Sequence, residues 1–99
     1  MKTDFATHLA EDRRLVILRV LHDSLAYTAN EFILLDMTNR FGHVVSTDRL
    51  HADLDWLREQ DLLTFDVVAD VRIAKLTVRG VDVATGRAIV SGVKRPRPE

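Results

Sequence analysis

A chain of 99 residues, 46% of them hydrophobic, is sized for one core and leaves no room for a second. The absence of cysteine excludes a disulfide framework, a thiolate metal site and a cysteine nucleophile. A net charge of −1 departs from the basic balance usual in a compact DNA-binding domain.

Residues from about Asp4 to Ser24 read as a helix, with Phe5, Leu9, Leu15, Leu18, Leu21 and Leu25 along one broad apolar face. Val16, Ile17 and Val20 make the part from Leu15 to Leu21 apolar almost all round, so a second contact surface, a homodimer, is expected there. The plainer alternative is that the rest of the domain covers both faces. The run Leu15 to Leu18 is broken by Arg19 and is too short to span a bilayer, and the N-terminus carries no signal-peptide pattern. The expectation is a cytoplasmic protein with no membrane partner.

Thr28 and Glu31 have capping-box spacing and Tyr27 and Phe32 staple spacing, which predicts a second helix from Thr28 onward. It should end at Gly42, where a left-handed residue is free of a side-chain penalty. Ser46 is the expected N-cap of a third helix, Thr47 to about Gln60, with Asp48 at the positive end of its dipole. Leu50, Leu54 and Leu57 give it a buried stripe. Two β-prone runs follow, Leu63–Val67 and Val71–Leu76, joined at Ala69-Asp70 as a two-stranded hairpin. A short fourth helix is expected between an N-cap at Thr77 and a stop at Gly86, with Gly80 inside it costing about 1 kcal/mol relative to alanine. Beyond it, residues 87–99 carry two prolines and read as an extended basic arm. Ile89, Val90 and Val93 favour its docking on this subunit or a neighbour.

Helix, helix, turn, helix, hairpin, short helix is an α+β, mainly helical order that resembles the winged helix-turn-helix superfamily. The run Val45-Ser46 through Leu50, Leu54 and Leu57 to Leu62-Leu63 is similar to that superfamily's reading helix and its exit into the wing. Leu76-Thr77-Val78-Arg79-Gly80 with Ala84 resembles the segment that follows the wing. The length and the Gly92-to-Pro96 tail are similar to small ArsR-like winged-helix proteins of Mu-like prophages. The resemblance implies a winged-helix domain over residues 1–86, an arm over 87–99, and a phage transcriptional regulator that binds double-stranded DNA. The apolar first helix and the apolar arm residues together lead to the expectation of a homodimer through the first helix and the arm. Asp61 stands where the superfamily has glycine, and the metal-sensing cysteine pairs of ArsR repressors are missing.

On that fold Ser46, Thr47, Arg49, His51 and Arg58 belong to the reading helix, where Arg49 can pair with guanine and Thr47 and His51 can reach a base or phosphate. Arg72 and Lys75 fall on the wing, Arg79 near its base, and Lys94, Arg95 and Arg97 on the arm, all suited to phosphate contact. The plainer reading makes these ordinary surface charge. Residues 46–70 hold two basic against seven acidic side chains, whereas 71–99 hold seven basic against two acidic. Asp48, Asp53 and Asp55 would repel phosphates, so the alternative is a winged-helix module for protein contacts in phage assembly or DNA packaging. His8, His22, His43 and His51 lack metal spacing and are expected at the surface or at caps, and Trp56 at the helix–hairpin junction. No catalytic constellation is recognisable, so no enzyme activity, cofactor or metal is expected.

Overall fold

Four α-helices and a three-stranded antiparallel sheet succeed one another in the computed structural model, which describes residues 2–97. Helix α1 (Lys2–Asp23) leads through a 3-10 turn into strand β1 (Thr28–Asn30) and helix α2 (Glu31–Arg40). Helix α3 (Thr47–Glu59), strands β2 (Leu63–Val68) and β3 (Val71–Leu76), and helix α4 (Val78–Thr85) complete the order. The sheet runs β1-β3-β2. No helix among the described residues is long and apolar enough to cross a membrane.

The start of α2 differs from expectation. Thr28 caps nothing: residues 28–30 pair with β3 in the register Thr28↔Lys75, Ala29↔Ala74, Asn30↔Ile73. The N-cap is Asn30, whose side chain accepts from the Ile33 N–H at 2.9 Å. A strand gains ladder hydrogen bonds over three residues and still leaves a good capping side chain at its end, so the later start wins. The expected two-stranded hairpin is therefore two strands of a three-stranded sheet. Its turn places Ala69 and Asp70 at φ 50° and 64°, a left-handed pair that the sheet imposes on residues poorly suited to it.

Other local readings hold. Ser46 accepts from the Arg49 N–H and Thr77 from the Gly80 N–H, and Gly42 and Gly86 end their helices at φ 94° and 86°. Gly80 matters for another reason than helix propensity. A β-carbon there would lie 2.0 Å from the Leu62 carbonyl oxygen and 2.6 Å from a Leu76 methyl, so only a bare backbone lets α4 seat against the sheet.

The core is built from Ile17, Leu18 and Leu21 of α1, Leu34 of α2, Leu50, Leu54 and Leu57 of α3, and Leu62, Leu63 and Val83 beyond. Phe5 and Leu9 do not join it: they project past the core on the first turns of α1, and Leu25 lies exposed after the helix has ended. The arm docks on its own chain. Val90 and Val93 are buried, the Lys94 N–H donates to the Glu11 carbonyl at 3.1 Å, and the Arg14 guanidinium donates to the Gly92 carbonyl at 2.8 Å. Trp56 packs beneath this arm, with the Arg14 guanidinium 4.1 Å from its ring centre.

Candidate nucleic-acid interface

Helix α3 is fixed on three sides, and each fixture removes a charge from the surface. Arg13 and Asp53 form a two-pronged ion pair, with Nη2 donating to Oδ1 at 3.0 Å and Nε donating to Oδ2. The residues are 8% and 2% exposed, so Asp53 faces the interior and not a partner. Its position could have been found from the sequence, since it lies three residues after Leu50 and four before Leu57, on the buried row.

A second fixture joins α2, α3 and β3. Glu31 is buried and accepts from the Arg72 backbone N–H at 2.7 Å and makes a hydrogen bond with His51 Nε2 at 2.6 Å. Burial pushes the Glu31 carboxyl up, but the Arg72 N–H and the His51 bond outweigh it and hold it below the usual carboxylate range. The Arg72 guanidinium turns onto α3, donating to the His51 carbonyl at 3.2 Å and to Asp55 at 3.0 Å. Arg58 stands 3.7 Å from the same carboxylate, and both guanidinium groups stack on Phe65, 4.2 and 4.5 Å from its ring centre.

The third fixture lies at the approach to α3. His43, expected at the surface or at a cap, is buried and bonds Asp12 of α1 at 2.6 Å, and Lys94 reaches the other oxygen of Asp12 at 3.3 Å. Burial raises the Asp12 pKa, and the His43 and Lys94 contacts bring it below the ordinary value. Nothing in the local pattern signals Asp12 as the partner of either residue, because the contacts span 31 and 82 residues.

The eleven candidate residues are thereby scattered. Arg58 and Arg72 meet around Asp55 and Phe65, and His51 is bound to Glu31. Ser46 uses its hydroxyl as the cap, while Thr47 and Arg49 are exposed on the first turn. Lys75 pairs in register with Thr28 and Thr64, on the sheet face opposite to Arg72. Arg79 donates to the Gln60 carbonyl at the far end of α3, Lys94 is held by Asp12, and Arg95 and Arg97 are exposed beside Thr85 and Gly86. Opposite the buried stripe, the outer crest of α3 is Asp48, Ala52, Asp55 and Glu59, an acidic row with Arg49 on one flank and Arg58 on the other. Among the described residues no group of three His, Cys, Asp or Glu side chains is placed to hold a metal ion.

No protein-family model matches the chain. It is similar to gp26 of Escherichia phage Mu, a protein described as uncharacterized, with 53% identity over 90 residues that cover 91% of this chain and 93% of that one. It is also similar to an uncharacterized protein of Haemophilus influenzae, with 38% identity over 96 residues, 96% of this chain and 93% of the relative. At that identity over nearly the full length of both chains, the protein belongs to the family of phage Mu gp26.

Proposed function

We propose that this chain is a small phage or prophage DNA-binding protein of the winged helix-turn-helix kind, acting in transcriptional regulation. One observation carries the reading. The order α1-β1-α2-α3-β2-β3, with β3 central in the sheet, sets a hairpin beside α3 and leaves the first turn of α3 uncovered. That is the geometry in which a helix N-terminus enters a major groove with a ribbon alongside. Residues 1–86 form the winged-helix unit and 87–99 the arm. The ArsR likeness extends to architecture alone, since no thiol ligand exists in the chain.

The acidic crest limits what this face can read. Asp48 and Glu59 stand where phosphates and groove edges would lie, so contact falls to Arg49 and the exposed arm residues Arg95 and Arg97. Binding is therefore expected to be of non-specific strength, with a dissociation constant of about 1–100 µM, and steeply salt-sensitive. Titration of a labelled random duplex at low and moderate salt tests this. Arg49→Ala should weaken binding at low salt without altering the fold. An absence of binding at low salt rejects the reading.

A second reading, a module for protein contacts in phage assembly or DNA packaging, is favoured by the same crest and by the hairpin tip. Val67 and Val68 are exposed there beside Asp66 and Asp70, a surface that repels a nucleic acid and suits a basic, partly apolar protein. The homodimer is a separate matter, carried by α1 and not by α3.

A further inference from the structure

A second surface takes little part in fixing α3, sharing with those contacts only Asp12. Between α1 and α2 runs an apolar groove of about 490 Å³, walled by Val16 and Val20 of α1 and by Ile33, Met37 and Phe41 of α2. Ile33 and Phe41 are 49% and 61% exposed, an unusual state for side chains of that size. The same molecule carries an apolar projection without a groove. Helix α1 is 22 residues long, about 33 Å, but residues 4–9 are all exposed, and Phe5 at their head is 69% exposed. Phe5, Leu9, Val16 and Val20 lie in one row along α1, interrupted only by Asp12.

We infer that the groove receives the projecting first turns of α1 from a second copy of this chain, in an antiparallel two-fold pair. The row is self-complementary. With two α1 helices antiparallel about a point near Asp12, Phe5 falls opposite Val20 of the second copy and Leu9 opposite Val16, and both contacts occur twice. Helix α2 supplies the second wall at matching heights. Phe41 stands at the Asp12 end, because His43 just beyond it bonds Asp12, and Ile33 stands at the Val20 end.

Charge agrees with the register. Asp4 on the projection falls between Arg19 and Asp23 of the second copy, both of which line the groove; His22 of the same chain engages Asp23 at 3.3 Å, which leaves Arg19 as the partner for Asp4. The two Asp12 carboxylates near the axis do not meet bare, since each is answered by His43 and Lys94 of its own chain. Two phenylalanine rings and five aliphatic side chains on each copy bury an area of the same order as the roughly 800 Å² per partner of a standard interface. The C-terminal arm takes no part, because its buried valines face their own chain.

Sedimentation of the full chain across the micromolar range tests the pair. The expected result is a concentration-dependent dimer that Phe5→Glu and Leu9→Glu each weaken by about tenfold or more. Both side chains are exposed in the single chain, so circular dichroism of the variants should be unchanged, and their melting should match that of the wild type at dilutions where it too is monomeric. Asp4→Arg and Arg19→Asp should each weaken association, and the two together should restore it. A wild-type monomer at a hundred micromolar overturns the proposal, as does a dimer indifferent to Phe5→Glu. Failure of the double exchange to restore association overturns the antiparallel register.

Discussion

The two broad faces of this molecule are held together by opposite means. Around α3, charged groups are numerous and the buried ones are answered inside the chain, Arg13 by Asp53, Glu31 by His51 and Arg72 by Asp55, while Asp48, Arg49 and Glu59 stay exposed. Between α1 and α2, by contrast, apolar side chains stand uncovered, with Phe5, Ile33 and Phe41 about half exposed or more. The contrast teaches that an inventory of cations is a poor guide to an interface. Arg72 and Lys94 count as basic residues in the sequence but act in the fold as bolts between elements.

The sharpest way to break this comparison is at the Arg13–Asp53 pair. Asp53→Ala should cost about 3–5 kcal/mol, because it strands a guanidinium in the interior. Replacing both members with Met and Leu should recover most of that loss, read by urea melts of the two variants. A mild effect of Asp53→Ala would mean that α3 is seated by its leucines alone. Next in size is Arg72→Ala, expected to cost about 1–3 kcal/mol through its bonds to Asp55 and the His51 carbonyl. A residue held only for phosphate contact would leave stability unmoved.

The acid limb separates the faces further. The Glu31 and Asp12 pKa values lie below their ordinary 4.5 and 3.8, so the stability they confer is fully present above about pH 4.5. It is lost as pH falls through the lowered values. Glu31→Gln should flatten that acid limb in a series of melts, whereas Phe5→Glu, on the other face, should leave the Glu31 part of it unaltered. The smallest expected effect is that of Arg49→Ala: a stability change within about 0.5 kcal/mol, with any consequence confined to duplex binding.

Much of the fold was legible because it is local. Ser46, Thr77, Gly42 and Gly86 mark their helix ends by side-chain chemistry or backbone conformation, and each does so in the structure. The short strand before α2 was not, since its reward is pairing with β3 some 45 residues away and the Thr28–Glu31 spacing offered a plausible local rival. The site was less legible than the fold. Which cation faces outward depends on which carboxylate lies near it in space, and Asp12, Glu31 and Asp55 meet partners 17 to 82 residues distant.

The seat of Trp56 has a practical consequence. It is the single indole in the chain, flanked by the Arg14 guanidinium and by Gly92, where a β-carbon would come within 2.6 Å of the ring. Its emission therefore reports on whether the C-terminal segment is in place: peeling residues 90–94 away would wet the indole and shift its fluorescence to the red. The protein carries its own optical probe for that one event, with no label to attach.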